Sequence, residues 1–304
     1  MVMIKRVLAL LGSGALAILL LRQAETAAQA VRDGVQLCLT SVIPALFPFF
    51  AVSSLLVALG AAEAAGQALA RPFGRLFRCG GAGCAALLLG LVGGYPVGAR
   101  TAADLVRRGE LSPAEGARLL TFCNNAGPAF AIGVAGVSVF GSARTGVWLY
   151  LLHCAAALLT GLLFCRRPLP VTAMPKRPVP PRAGLTGQFL RAVEGAVSAM
   201  ARVCGFVVFF LVLLRLAEGL IGPLPPLAAG VLELTNGILR LTPDRRGFVT
   251  AAALLGWGGL SVHCQTAAVT VGSGISLRLY LPAKAVQAAL SAGLAALLAP
   301  YLLP

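Results

Sequence analysis

Long apolar stretches alternate along the chain with short polar or basic joints, and most of those stretches are interrupted. Val7 to Leu21 follows Lys5 and Arg6, which predicts a first transmembrane helix with those charges on the cytoplasmic side. With Ala28-Gln29-Ala30 behind them, the same residues also fit a secretory leader with a small-residue cleavage pattern. Residues 34–62 carry no charge, yet Pro44 and Pro48 lie inside the run. Each proline removes a backbone donor and crowds the preceding turn, so a kink or a division into two half-helices is expected. Arg71, Arg75 and Arg78 make a basic connection, and the apolar run that follows ends in Gly93-Gly94-Tyr95-Pro96. Those residues predict a break, the glycines supplying unusual backbone angles and Pro96 starting a new helix.

The stretch from 100 to 120 sets Leu105, Leu111, Leu119 and Leu120 among charges and should lie at the surface. Ser112-Pro113-Ala114-Glu115 has the form of a capping box and restarts a helix there. That helix enters a run broken near its middle by Asn124-Asn125-Ala126-Gly127-Pro128, whereas 146–165 is an uninterrupted span carrying His153. Residues 166–188 hold six prolines, five basic residues and no acid, the composition of an extended cytoplasmic linker. It divides the chain into a first membrane half, 1–165, and a second, 189–304. The second half begins with an amphipathic stretch from Phe189 to Arg202, then a span from Val203 to Ile221 with Arg215 and Glu218 at helical spacing. A weaker span, 224–241, is broken by Glu233-Leu234-Thr235-Asn236-Gly237. The run 247–277 is interrupted from Gly256 to Gln265, and 285–303 is a last plain helix.

Composition excludes most other classes. With 58% hydrophobic and 12% charged residues over 304 positions, and a mean hydropathy of +0.88, the chain has more apolar surface than one soluble core can bury. Soluble enzymes, DNA-binding domains, collagen-like fibres and disordered chains are ruled out; an all-α, polytopic integral membrane protein is expected. The net charge of +15 comes from basic residues placed in short runs between apolar segments, a topology signal rather than a nucleic-acid surface, since no aromatic-basic interleaving accompanies them. The eight cysteines sit mostly in or beside apolar runs without metal-binding spacing, so they are read as packing residues and no metal is assigned.

Unpaired backbone in hydrocarbon costs several kcal/mol per group, so breaks of this kind persist only where protein or a hydrated cavity satisfies them. Interrupted segments in corresponding positions of two halves point to a transporter binding site, and the halves have the look of a divergent repeat. Half-helices starting at Pro96 and Pro128 would aim free N–H groups, worth about half a positive charge each, at that cavity and favour an anion. The candidate substrate-binding residues are Gly93, Gly94, Tyr95, Pro96, Asn124, Asn125, Gly127, Pro128, Thr235, Asn236, Ser261, His263 and Gln265. The blander alternative makes the breaks packing kinks, with Asn124, Asn125 and Asn236 as interhelical hydrogen bonds.

Glu233 is expensive in lipid unless paired, protonated or on a cation. A coupling role with H+ or Na+ stands beside a structural ion pair with Arg215, Arg240 or another basic residue. His153 is expected to be a core histidine; His263, inside a break, either meets substrate or is structural. There is no HExxH, nucleophile elbow or phosphate-cradling GxxxxGK, so neither an enzyme nor a cofactor is expected. The competing classes are a solute transporter and a membrane scaffold, with a homo-oligomer or membrane partners left open.

In order and character, Ser41 to Phe50, Gly93 to Ala99, Arg108-Gly109-Glu110-Leu111-Ser112, Phe122 to Pro128, Leu232 to Gly237 and Gly256 to Gln265 resemble the sporulation integral membrane protein family that contains a nucleoside-recognition, or Gate, domain, of the stage V sporulation protein V type. The FCNNxGP and GxGGxSVHxQ strings are its more specific parts. The resemblance implies a Gate-like region at about 40–150 and a fold similar to concentrative nucleoside carriers. It also implies a place in the mother-cell-derived outer forespore membrane, and transport of dipicolinate, a rigid aromatic dicarboxylate, towards the spore. A nucleoside or other neutral solute is the alternative cargo. The Pro- and Arg-rich linker matches no family pattern.

Overall fold

The computed structural model describes residues 2–166 and 184–302, and among them every regular element is a helix. The linker expected at 166–188 lies largely outside the described residues. Helix α1 (Val2–Arg22) turns by 93° into α2 (Ala24–Leu37), whose buried Ala27 and Ala30 rest on the long helix of the second half. A π-helical turn, Cys38–Val42, leads into α3 (Ile43–Ala58). The expected division at the prolines does not occur, because α3 runs unbroken through Pro48 and the disruption is taken up by the widened turn just before Pro44. The basic connection is itself a helix, α4 (Ala61–Phe77), with Phe73 and Phe77 turned inward and Arg71 and Arg75 outward.

Helices α5 (Gly83–Gly93) and α6 (Val97–Arg107) are separated by the expected break, across a cis Tyr95–Pro96 peptide. Helix α7 (Pro113–Leu120) opens on the capping box: Glu115 N–H donates to Ser112 Oγ at 3.2 Å and Ser112 N–H to Glu115 Oε2 at 2.8 Å. Residues 124–127 are unwound, and a π-helical segment, Ala129–Val139, follows before the plain span α8 (Ala143–Phe164). In the second half the amphipathic stretch and the span after it are one 37-residue helix, α9 (Leu185–Ile221). The seven-residue α10 (Pro226–Leu232) and six-residue α11 (Leu234–Leu239) form a hairpin too short to cross a bilayer. Then come α12 (Arg245–Trp257), α13 (Gly259–Thr270) and α14 (Tyr280–Leu302).

Four helices among the described residues are long and apolar enough to span a membrane, and the bent α1–α2 pair makes a fifth candidate. Both halves follow one order: a short helix, a break and a short helix; then a span interrupted once; then an uninterrupted span. That order is α5–α6, α7 with the π-helical segment, and α8 in the first half, and α10–α11, α12–α13 and α14 in the second. The two uninterrupted spans pack together, α14 on α8, and α14 also packs along α12 of the interrupted span. Arg107, at the end of α6, donates to the carbonyls of Val269 and Val271 at 2.8 and 2.9 Å and fastens the first half to the second.

Candidate functional site

The four breaks meet. Gly93, Gly94 and Tyr95 from the first, Ala126 and Gly127 from the second, Glu233 and Thr235 from the third, and Ser261, Val262 and Gln265 just after the fourth line one cavity of about 50 Å³. Val42, Leu46 and Phe50 close it from the α3 side, and Val203 and Val207 of α9 complete the wall. This is room for a few water molecules, so an aromatic solute needs the walls to part.

Close backbone approach makes the convergence achievable. A Cβ on Gly127 would stand 3.0 Å from Gly94 Cα, and one on Gly94 would stand 2.9 Å from Gly127 N, so the first two breaks touch main chain to main chain. At the fourth, Gly258 and Gly259 both have positive φ, +93° and +83°, which ends α12 and restarts α13 within one residue. The unwound segment is therefore much shorter than the Gly256 to Gln265 interruption expected from sequence. Ser261, His263 and Gln265 are helical residues of α13, whose first-turn N–H groups have no intrahelical acceptor.

Side chains tie the breaks to neighbouring elements. His153 Nε2 on α8 accepts from Ala126 N–H at 3.1 Å. It is a buried histidine as expected, and it serves a break, which the sequence did not reveal. Tyr95 Oη donates to Leu255 O at 3.0 Å, tying the first break to the end of α12. Trp257 Nε1 donates to Val231 O at 3.2 Å and its ring stands edge-on to His263, 4.5 Å away.

The residue that sequence reasoning missed is Lys284. It sits one residue before the expected plain helix and is completely buried, with Gln287 and Ser291 on the same face. Lys284 Nζ donates to Gln287 Oε1 at 2.7 Å, Asn124 O at 3.0 Å and Tyr95 Oη at 3.3 Å, and lies 5.3 Å from the Tyr95 ring centroid. No carboxylate pairs with it among the described residues. A buried intramembrane lysine whose partners are all neutral is a functional signal by cost alone. In the sequence it looks like a snorkelling charge at a helix start, which hid it.

Eight of the candidate residues border the cavity: Gly93, Gly94, Tyr95, Gly127, Glu233, Thr235, Ser261 and Gln265. The others do not. Asn124 Nδ2 donates to Thr266 Oγ1 at 2.7 Å, and Asn125 Oδ1 accepts from Gln287 Nε2 at 2.9 Å, so both asparagines turn away from the cavity and join helices. Asn236 lies inside α11, its N–H and Nδ2 both donating to Glu233 Oε2 at 2.8 and 2.7 Å. His263 Nδ1 meets Tyr280 Oη at 3.1 Å behind the wall, Pro96 borders neighbouring cavities, and Pro128 only starts the π-helical segment. Ser261 Oγ, buried at the wall, has no hydrogen-bond partner among the described residues.

The structural alternative for Glu233 is also corrected. Arg215 and Arg240 both pair with Glu218, at 3.2 and 2.5 Å; Glu233 has no ion-pair partner among the described residues and is the cap of α11, 1% exposed. The cavity wall thus contains one buried acid, with one buried lysine behind Tyr95.

The Gate family, described as nucleoside recognition, matches residues 39–143, a stretch that includes the first two breaks. The sporulation integral membrane protein YlbJ of Bacillus subtilis (strain 168) is 27% identical over 310 residues, covering 85% of this chain and 74% of that protein. The chain is thus similar to a sporulation membrane protein over most of its length and to the Gate family within its first half. No solved structure matches it. Glu233, Thr235, Ser261 and Gln265 all lie beyond the matched segment, so the cavity takes every polar side chain of its wall except Tyr95 from outside it, as it does Lys284 behind that ring.

Proposed function

We propose that this protein carries a small anionic solute across the membrane, with dipicolinate as the cargo, and that the cavity at the four breaks is where the solute is held. The observation that carries the reading is the convergence itself. Three interruptions and the helix that restarts at the fourth, separated by up to 171 residues in sequence from Gly94 to Gln265, line one cavity, whereas packing kinks have no need to coincide. A scaffold needs no such cavity.

The anion preference rests on Lys284 behind Tyr95, on the first turn of α13, and on the unpartnered Ser261 hydroxyl, which can donate to a carboxylate. Tyr95 offers a ring to an aromatic solute. Glu233 opposes a dicarboxylate when ionised, so one cation, H+ or Na+, accompanies the solute onto that carboxyl group. No other cofactor enters the reading, and the working unit is the chain in its bilayer, alone or with copies of itself.

A neutral nucleoside is the second reading, favoured by the description of the matching family and by a wall that mixes hydroxyl, amide and carboxyl groups. Equilibrium binding to the purified full chain in detergent separates the two. Labelled dipicolinate should bind saturably, with competition from unlabelled dipicolinate but not from a nucleoside, and Ser261→Ala should weaken it. Nucleoside binding with no dipicolinate binding would reverse the assignment.

A further inference from the structure

Beside the central cavity lies a larger one, about 260 Å³, bordered by α3, α6 and the first half of α9. Its charged lining is Arg100, Arg108 and Arg191 against a single acid, Asp104, a formal excess of +2. Asp104 is engaged by Arg107 at 2.8 Å and approached by Arg100 at 3.9 Å, and Arg108 stands 3.7 Å from Glu110 outside the lining. Arg191 has no ion-pair partner among the described residues and is exposed. A small third cavity, about 20 Å³, shares Arg100 and Ala199 with this vestibule and Gln265 with the central cavity, and adds Arg202.

Helix α9 orders the three. Arg191, Gly195 and Ala199 border the vestibule, Ala199, Arg202 and Phe206 the small cavity, and Val203 and Val207 the central one. At about 1.5 Å per residue these positions advance about 24 Å along one helix, from the end nearest the linker towards the middle of the membrane. Phe50, 2% exposed, is part of the wall of both the vestibule and the central cavity.

We propose that the vestibule is a second anion-binding site, a solvated station for a small dicarboxylate on the linker side, and that Phe50 is the partition between it and the central cavity. The +2 excess matches a dianion, the volume exceeds that of the central cavity five-fold, and the shared residues Arg100 and Gln265 give a polar way past the partition. The inference rests on the transporter reading for its purpose but not for its chemistry: an anion should bind there whether or not it crosses.

Two measurements on the full chain test it. In proteoliposomes, the double variant Arg100→Gln/Arg191→Gln should raise the half-saturating dipicolinate concentration about ten-fold at low salt, with a much smaller change in that of any nucleoside. Because the vestibule is solvated, wild-type half-saturation should rise with salt and the variant's should rise much less. Phe50→Ala should leave that salt dependence intact and raise the maximal rate or the leak. Wild-type uptake with an unchanged half-saturation and salt response in the double variant would overturn the vestibule while sparing the transporter. If wild type moves no solute, the transporter reading fails, and the vestibule is judged by equilibrium binding in detergent. There, a salt-sensitive dipicolinate site lost in the double variant upholds the vestibule, and the absence of one overturns it.

Discussion

Replacing Lys284 with glutamine removes the buried cation and keeps a hydrogen-bond donor of similar length beside Asn124 O and Gln287. Two effects of opposite sign act on stability. The buried charge no longer has to be desolvated, which relieves several kcal/mol, while charge-assisted hydrogen bonds worth about 1.5–3 kcal/mol each are weakened. Thermal stability in detergent should therefore move little and is not the informative measurement; the charge seen by the solute is. Lys284 Nζ lies 5.3 Å from the Tyr95 ring centroid, and a carboxylate touching the opposite face stands about 3.5 Å further on, so the charges are about 9 Å apart. At an effective dielectric of about 20 the attraction is about 1.8 kcal/mol per carboxylate, or about twenty-fold in affinity. Titration of purified protein should show dipicolinate weakened by at least that factor and a neutral nucleoside changed by less than about three-fold. Equal weakening of both solutes would mean that Lys284 merely braces the breaks, and the electrostatic reasoning would be refuted.

Glu233→Gln should uncouple uptake from its ion gradient, leaving solute exchange at equal gradients intact; unchanged gradient dependence would remove the carboxyl group from the coupling step. Asn125→Leu and Gln287→Leu should each lower the melting temperature in detergent, and a double-mutant cycle should return a coupling of about 0.6 kcal/mol, at most about 1.7, as for hydrogen bonds within membranes. A zero coupling would contradict their pairing. Gly127→Ala places a methyl group 3.0 Å from Gly94 Cα, against the Gly93–Gly94 main chain; it should cost about 1–3 kcal/mol of stability and reduce solute binding, and a variant as stable as wild type would contradict the contact between the two breaks.

The breaks were legible because glycine, proline, amide and acid residues interrupt otherwise apolar runs, and hydrocarbon tolerates such interruptions only in special places. Their extent was not. Gly258 and Gly259 turn the chain within one residue, so the polar string after them is helix; the π-helical turn holds Thr40, whose carbonyl Pro44 would crowd, and α3 continues through Pro48. The direction of side chains at unwound backbone was also hidden: Asn124 and Asn125 sit at the break, yet point at Thr266 and Gln287, which no periodicity can foretell. Residues 185–221 look like an amphipathic stretch and then a span because their polar face ends near Arg202, although the helical backbone continues past it. Lys284 and His153 were missed as parts of the site for a common reason. Each lies on an intact span, and its role comes from a break more than twenty residues away in sequence.

The central claim, that the meeting of the four breaks is a transport site for an anion, is tested most directly by uptake of labelled dipicolinate into proteoliposomes containing the purified full chain, with imposed H+ or Na+ gradients. Saturable uptake above protein-free liposomes, driven by one of the gradients and reduced in both Lys284→Gln and Ser261→Ala, is the expected result. No uptake of dipicolinate under any gradient, from protein that binds a nucleoside and moves it, would contradict it.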